Sequence, residues 1–341
     1  MFDVVAFGEM LLRLSPPGYQ KIIQANTLEM NFGGAEANVA IALSNLGIKT
    51  AYFTIVPDNA LGQAAINHLR KFGVNTDYIK KKGKRLGLYF LEKGVGQRAS
   101  SVIYDRADSA IYSLQKSDFN LDEILSNTKI LFFSGITAAL SENILEYIID
   151  ICKTAKKHNV KIAFDINHRT KLWDYEKANE RISKFIEYID ILITNEEHVR
   201  KVFKIAINEE YVNGIDLTED GQMQLYEKIE KKFPNLEKII LAARRSLSAS
   251  KNIFYAYTKE DNEFIFSSKR NVEIIDRVGG GDAFTAGILY GLLNGYNTKH
   301  TLEFATAMCL LKHTLEGDAT VVSLEDIKNV ILLDGEAMMQ R

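Results

Sequence analysis

Three consecutive glycines followed by an aspartate form the segment with the clearest chemical potential. They are Gly279, Gly280 and Gly281, with Asp282 directly after them and a run of small and apolar residues over 283–289. Glycines leave their backbone N–H groups uncovered, so the amides can turn together around an anion. The run after them predicts a helix whose positive dipole end adds to this attraction. We therefore predict an anion site beside a carboxylate that can accept a proton from a hydroxyl group.

A second glycine pair, Gly33-Gly34, opens the segment 33–40, in which Asn38 lies one turn into a predicted helix. Two glycines let a polyhydroxylated ligand approach the backbone closely, and the Asn38 amide can both donate and accept hydrogen bonds. Each segment also has a purely structural interpretation. The first can be a flexible turn with Asp282 as the N-cap, and the second can be close packing of a helix on a sheet.

Short apolar runs that alternate with helical segments must position these candidates. The predicted strands lie at 3–7, 51–56, 130–133, 162–164, 189–193 and 239–242, and the predicted helices include 35–46, 62–72, 141–158 and 221–233. Nearly continuous apolar strands that alternate with amphipathic helices are typical of a mainly parallel sheet covered on both faces. We predict an α/β fold of this kind.

Two stretches, 11–32 and 85–107, interrupt this alternation and have no helical period. Their alternating apolar and polar residues indicate antiparallel strands. We predict that the two insertions together form a small β-sheet, a lid on a body made of residues 1–10, 33–84 and 108–341. The exposed surface of such a sheet favours pairing between subunits, and hence a homo-oligomer.

The composition limits the class of protein. The chain has 341 residues, with 42 Lys and Arg against 44 Asp and Glu and a net charge of −2. This balance argues against partners that are nucleic acids or anionic membranes. Two cysteines and the absence of a basic leader or of an apolar run near the roughly 20 residues of a membrane helix predict a soluble, cytoplasmic, globular protein.

The two glycine segments, one near each end of the chain, resemble those of the ribokinase-like (PfkB) carbohydrate kinases, and the resemblance extends over essentially the whole chain. In that family the late motif usually reads Gly-Ala-Gly-Asp, so Gly280 stands at the alanine position. The resemblance implies a ribokinase-like fold with a β-sheet lid and a kinase that uses ATP and Mg²⁺. It also implies that Asp282 deprotonates the acceptor hydroxyl and that the amides of residues 279–282 form the anion hole.

Within the family, five segments are similar to those of 2-keto-3-deoxygluconate kinases: residues 8–16, 33–40, 104–106, 165–169 and 172–173. This similarity implies a sugar acid as the small-molecule substrate, and a sugar acid needs a cationic clamp for its carboxylate.

Two arginines are the candidates for that clamp. They are Arg106 in the predicted lid and Arg169 after a core strand, with Tyr89 and Tyr104 as further contacts. By the same resemblance Asp318 matches a substrate-side position. The structural alternatives are that each arginine pairs with a surface carboxylate and that Asp318 belongs to a turn.

The segments that the resemblance assigns to the nucleotide and its magnesium ion depart from the family pattern. Where members often have Asn-x-x-Glu, this chain has Asn195-Glu196-Glu197-His198, so a histidine stands at the position of the glutamate that helps to organise magnesium. Either Glu196 or Glu197 could replace that glutamate, and no metal ligand is assigned.

In the nucleotide segment 241–250, Ser246 replaces a glycine, and Arg244 or Arg245 could meet a phosphate. The resemblance implies cofactor contacts from Asn167, Asn195, Arg244, Ser246, Gly279 and Gly281.

The sequence therefore predicts an ATP- and Mg²⁺-dependent kinase that phosphorylates the 6-hydroxyl of 2-keto-3-deoxygluconate. Three alternatives stay open. The first is a related kinase for fructose, ribose or another keto-deoxy sugar acid, and the second is a non-catalytic sensor of sugar acids or nucleotides on the same fold. The third is a dinucleotide-dependent oxidoreductase, which ranks last because residues 4–10 lack the required G-x-G-x-x-G.

Overall fold

The computed structural model describes residues 1–213 and 216–332. The strands are β1 (Phe2–Phe7), β2 (Leu11–Ser15), β3 (Glu29–Gly33), β4 (Thr50–Val56), β5 (Ile79–Lys81), β6 (Gly87–Glu92), β7 (Ser101–Asp105), β8 (Thr128–Ser134), β9 (Lys161–Asp165), β10 (Ile191–Asn195), β11 (Val212–Asn213), β12 (Asp216–Leu217), β13 (Lys238–Ser246), β14 (Lys251–Glu260), β15 (Glu263–Phe266) and β16 (Arg270–Glu273).

The helices are α1 (Ala35–Asn45), α2 (Ala60–Lys71), α3 (Leu121–Leu125), α4 (Gly135–Ala138), α5 (Glu142–Lys157), α6 (Tyr175–Ile182), α7 (Glu196–Val202), α8 (Glu219–Lys232), α9 (Gly280–Leu293), α10 (Thr298–His313) and α11 (Leu324–Leu332). Within the described part of the chain, none of them combines the length and the apolar character that a bilayer crossing requires.

A central sheet organises the body, with strand order β15-β14-β13-β10-β9-β8-β1-β4-β5 and β16 beside β14. The strands from β13 to β5 run parallel, and β14, β15 and β16 form an antiparallel edge. Alternate side chains of β1 enter two separate cores: Val5 and Phe7 lie in one, and Val4 and Ala6 in the other. The predicted α/β fold, with a mainly parallel sheet covered on both faces, is confirmed, whereas the antiparallel edge was not predicted.

A separate four-stranded sheet, which we call the small sheet, has the order β3-β2-β6-β7. It combines two distant parts of the chain, because β2 pairs in parallel with β6, with Leu11 opposite Gly87. One face places Leu11, Tyr89 and Leu91 in a small apolar cluster. On β3 and β7, Met30 and Ile103 are exposed.

The small sheet contacts the body on two sides. At the turn between β6 and β7, the Gly96 amide donates to Oγ of Ser250, and the Ala249 amide donates to the Gly96 carbonyl, both at 3.1 Å. On β7, the Val102 carbonyl accepts a hydrogen bond from Lys171. The sheet therefore bridges the β13–β14 turn and the loop after β9.

Candidate active site

A cavity of about 1260 Å³ lies between the small sheet and the body. Most of the predicted site residues line it, namely Gly34, Asn38, Tyr89, Tyr104, Arg106, Asn167, Arg169, Asn195, Arg244, Gly279, Gly281, Asp282 and Asp318. Typical small-molecule pockets have about 300–1,000 Å³, so this cavity has room for more than one small ligand.

The glycine loop turns sharply at the start of α9. Gly279 is the N-cap residue, with φ of +81°, a conformation that side chains disfavour, and a Cβ there would lie 2.4 Å from the Asp318 carbonyl oxygen. A Cβ on Gly281 would meet no atom within 4 Å, because this residue faces the open cavity. The N-terminus of a 14-residue helix and its uncovered amides thus lie at the cavity wall.

Asp282, in the first turn of α9, is buried and accepts a hydrogen bond of 2.7 Å from Nδ2 of Asn38. Burial raises the pKa of Asp282 to about 6, and the Asn38 hydrogen bond and the positive charge of Arg169 act in the opposite direction. At neutral pH the group is therefore mostly a carboxylate that can accept a proton. Asn38, which we predicted to bind substrate, contacts the proposed base in this structure.

Gly280 packs against the imidazole of His313 at the end of α10. A Cβ on Gly280 would lie 2.3 Å from Cε1 of His313. The ring is held by a contact of 2.6 Å between its Nδ1 and the Cys309 carbonyl oxygen. Burial lowers the pKa of His313 to about 4, so the ring is neutral and its Nδ1–H donates to that carbonyl. The His313 ring thus leaves no room for a side chain at position 280, where the family that the sequence resembles usually has alanine.

We expect Gly280→Ala to lower both activity and stability, because the new methyl group overlaps the fixed His313 ring. Overpacking of this kind costs about 1–3 kcal/mol. In a double-mutant cycle with His313→Ala, the second change should recover most of that loss, as measured by thermal unfolding and kcat. Additive losses in the double variant would contradict this explanation.

Beside the small sheet, the buried carboxylate of Asp318 accepts a hydrogen bond from the Tyr89 hydroxyl. A Cβ on Gly33 would lie 2.3 Å from Oδ2 of Asp318, so Gly33 makes room for this carboxylate. Nη1 of Arg13 on β2 lies 3.1 Å from Oδ1 of the same group. Sequence reasoning did not single out Arg13, because its partners are distant in the chain.

The two predicted clamp arginines differ in their surroundings. Arg106 is buried, and its Nε donates to Oε2 of Glu9 at 2.9 Å. Its guanidinium also lies 5.6 Å from the centre of the Tyr104 ring. The Arg169 side chain is exposed at the cavity wall. Glu9 was also missed, although its place just after β1 is a signal, since ligands of parallel sheets bind beyond the carboxyl ends of strands.

The end of β9 adds a second carboxylate near Asp282. Asp165 accepts a hydrogen bond of 2.9 Å from the amide of Asn167, which has φ of +35°. Burial, and then the charge of Asp282, raise the pKa of Asp165 to about 7. Its position at the carboxyl end of a buried strand is the signal that could have marked it beforehand.

His198 is uncharged. Its Nδ1 lies 3.0 Å from Nδ2 of Asn195, the N-cap residue of α7, and burial lowers the pKa of His198 to about 3. Of the two candidates to replace the family glutamate, Glu197 forms a surface ion pair of 2.7 Å with Lys201. Glu196 is less exposed and accepts from Nε2 of Gln222 at 2.6 Å, and burial raises its pKa to about 7.

The predicted nucleotide segment is the hairpin of β13 and β14. Arg244 lines the cavity, whereas Ser246 lies on the exposed end of β13, opposite Asn252. Nη2 of Arg277, next to the glycine loop, donates to the Ala249 carbonyl at 2.9 Å. The structure therefore brings Arg244, but not Ser246, to the cavity.

Comparison with known proteins agrees with this architecture. The model of the pfkB family of carbohydrate kinases matches residues 1–321. The structure of a 2-dehydro-3-deoxygluconokinase from Thermotoga maritima is 40% identical, with a TM-score of 0.92 over 97% of this chain and 99% of that chain. A putative 2-keto-3-deoxygluconate kinase from Enterococcus faecalis is 28% identical, with a TM-score of 0.91 over 100% of this chain and 99% of that chain.

A 2-dehydro-3-deoxygalactonokinase from Haloferax volcanii is 30% identical over 340 residues, which are 99% of this chain and 99% of that protein. These matches exclude the alternatives of a sensor and of a dinucleotide-dependent oxidoreductase in favour of a kinase. The chain belongs to the pfkB family of carbohydrate kinases.

Proposed function

We propose that this kinase transfers the γ-phosphoryl group of ATP to the 6-hydroxyl of 2-keto-3-deoxygluconate, with Asp282 as the base. The observation that carries the proposal is the position of Asp282, buried at the N-terminus of α9 and beside uncovered glycine amides in a cavity that Arg169 also lines. The similarity to the structures of a 2-dehydro-3-deoxygluconokinase and of a putative 2-keto-3-deoxygluconate kinase supports the choice of substrate.

Proton transfer and charge stabilisation would come from adjacent groups of one loop. The Asp282 carboxylate accepts the proton of the acceptor hydroxyl as the oxygen attacks the γ-phosphorus, and the bond from that phosphorus to the β–γ bridging oxygen breaks to release ADP. The amides of residues 279–282 donate hydrogen bonds to the phosphoryl oxygens, and the dipole of α9 adds to this stabilisation. Since these donors are held by the fold, they need little reorganisation during the reaction.

The carboxylate of the sugar acid would bind to arginine. We assign the main contact to Arg169, because its side chain is exposed at the cavity wall. Arg106 already binds Glu9, so it contributes its remaining N–H groups and orients the Tyr104 ring. Tyr89 and Asp318, joined by a hydrogen bond, would bind sugar hydroxyls together with the Gly33-Gly34 backbone.

The residues present fit a magnesium ion that binds mainly through phosphates and water. Across residues 1–213 and 216–332, no group of three or more His, Cys, Asp or Glu side chains is arranged to hold a metal ion. Mg²⁺ keeps several waters and uses one or two carboxylates together with substrate phosphates. Asp165 and Glu196 both line the cavity and are the residues that would hold it. When bound, Mg²⁺ neutralises charge on the nucleotide phosphates.

The small sheet is our proposed contact between subunits. Met30 and Ile103 each expose 55% of their surface there. Burying such side chains against a second copy removes apolar surface from water. The mass in solution tests this proposal: we expect a dimer or a larger oligomer, and a monomer would reject it.

A panel of acceptors tests the proposed substrate. We expect kcat/KM, measured by ADP release, to be at least about 100-fold higher with 2-keto-3-deoxygluconate than with fructose or ribose. The reason is that a neutral sugar leaves the cationic side chains of the site without an anionic partner. Phosphorus NMR of the product should place the phosphate on C6. Faster turnover of a neutral hexose would overturn the proposal. The galactonate epimer is the second candidate, because the relative from Haloferax volcanii carries that name.

A further inference from the structure

Four charged side chains are buried together next to the part of the cavity where we propose that the sugar binds. Arg13, in the middle of β2, lies with its Nη2 2.8 Å from Oδ2 of Asp276 and with its Nη1 3.1 Å from Oδ1 of Asp318. All three side chains are at most 2% exposed. Arg13 therefore joins the small sheet to the segments before the glycine loop and after α10.

Lys312, near the end of α10, is the second cation of this group and is fully buried. Its Nζ donates to the Leu315 carbonyl at 2.9 Å. Burial lowers the pKa of Lys312, and the charges of Asp276 and Asp318 act in the opposite direction. The charges of Asp276 and Asp318 thus favour the protonated form of Lys312, and we call Arg13, Lys312, Asp276 and Asp318 the charge cluster.

Each carboxylate of the charge cluster also contacts a part of the active site. Asp276 accepts hydrogen bonds from the Val278 amide at 3.0 Å and from the Gly317 amide at 3.1 Å. Asp318 accepts from the Tyr89 hydroxyl. A Cβ on Gly279 would lie 3.1 Å from Cε of Lys312, so this side chain packs directly under the glycine loop. The cluster therefore touches both the proposed anion hole and the proposed sugar site.

Stability alone does not account for such a cluster. Removing charges from water is costly, and replacing a buried ion pair by apolar residues often leaves stability unchanged or raises it. A rigid set of paired charges can instead hold reacting groups in one geometry, and misplacement of a reacting group by about 1 Å can cost about 100-fold in rate.

We propose that Arg13 and Lys312 are positioning residues for phosphoryl transfer, which hold the glycine loop and Asp318 in a fixed arrangement relative to the small sheet. This inference rests on the proposed function of the same cavity. Neither side chain is assigned a contact with ATP or with the sugar. Arg13 acts through Asp276 and Asp318. Lys312 acts through its packing against Gly279 and its hydrogen bond to the Leu315 carbonyl. Their loss should therefore change kcat more than KM.

Lys312→Met tests the proposal, because it removes the charge and keeps a long side chain. We expect kcat to fall about 100-fold while KM for the acceptor stays within about threefold. Arg13→Lys keeps the charge but loses the planar fork that reaches both carboxylates, and should lower kcat by about tenfold. Arg181→Met is the matched control. Arg181 is also buried, pairs with Glu142 at 2.5 Å, and does not line the cavity.

Thermal unfolding and kcat per folded enzyme are measured for all three variants, with the acceptor that the wild type phosphorylates fastest. Arg181→Met should lower the unfolding temperature without changing kcat. A folded Lys312→Met enzyme with wild-type kcat, or a rise in KM alone, would overturn the proposal. If Lys312→Met does not fold, Arg13→Lys becomes the test, and a wild-type kcat in Arg13→Lys would also overturn the proposal. A preference of the wild type for a neutral sugar would instead reject the proposed substrate, and the same variants would still test the cluster.

Discussion

Replacing Asp282 by asparagine should lower kcat by about 10²–10⁴-fold, the usual contribution of a general base. The substitution keeps the shape of the side chain and removes its capacity to accept a proton at neutral pH. Because burial raises the pKa of Asp282 to about 6, the carboxylate that predominates at pH 7 is less stable in the folded protein than in the unfolded chain. The loss of charge should therefore not lower the unfolding temperature, and an inactive variant should still be folded.

Asp326→Asn is the matched control, because Asp326 also lies in the first turn of a helix, α11, where it accepts from the Ser323 amide at 2.8 Å. Its kcat should equal that of the wild type. Turnover near the wild-type rate in Asp282→Asn would show that another group removes the proton.

The same carboxylate sets the expected pH dependence of the wild type. A base works only when it is deprotonated, so kcat/KM should fall as the pH drops through about 6. Asn38→Ala removes a hydrogen-bond donor that stabilises the Asp282 carboxylate, so the fall in kcat/KM should begin at a higher pH than in the wild type. A fall in kcat/KM centred on the ordinary pKa of an aspartate would contradict the assignment of Asp282 as the base.

The second large effect concerns Arg169→Leu, which we expect to lower kcat/KM for the sugar acid by roughly 10–100-fold. The physical reason is the loss of a charged hydrogen-bond donor, worth about 1.5–3 kcal/mol. Most of the effect should appear in KM for the sugar acid, because the carboxylate is bound equally in the ground state and in the transition state. Initial rates over a range of sugar-acid concentrations separate the two constants.

Arg70→Leu is the matched control for this substitution. Arg70 is exposed on α2, where its Nε donates to Oγ1 of Thr76 at 2.8 Å. Its kinetic constants should be those of the wild type. An unchanged KM for the sugar acid in Arg169→Leu would remove Arg169 from the substrate site. An equal loss toward neutral sugars would show that Arg169 serves the phosphates instead.

Local patterns made the glycine loop and the general fold predictable. The glycines before Asp282 and the small residues after it are adjacent in sequence, so their spacing alone indicates a turn at the start of a helix. The alternation of apolar strands and helices likewise reports which side chains face the two cores.

Contacts between distant residues were not predictable in the same way. Arg106 follows a strand of the small sheet, and nothing near it indicates that Glu9 will bind its guanidinium. Arg13 meets Asp276 and Asp318 only after the small sheet and the loop before α9 are placed together. The burial of His313 against Gly280 depends on the packing of α9 and α10. Charge and residue type identify such groups as candidates, but only the fold identifies their partners.

The pairing of Leu11 with Gly87 in the small sheet has a consequence for folding kinetics. Parallel pairing of β2 with β6 closes a long stretch of chain that includes α1, β4 and α2. Closing a long loop costs conformational entropy, and this cost is smaller once the intervening elements are packed on the central sheet. The small sheet should therefore form late, after the body. Destabilising substitutions on β2 or β6 should then speed unfolding far more than they slow refolding.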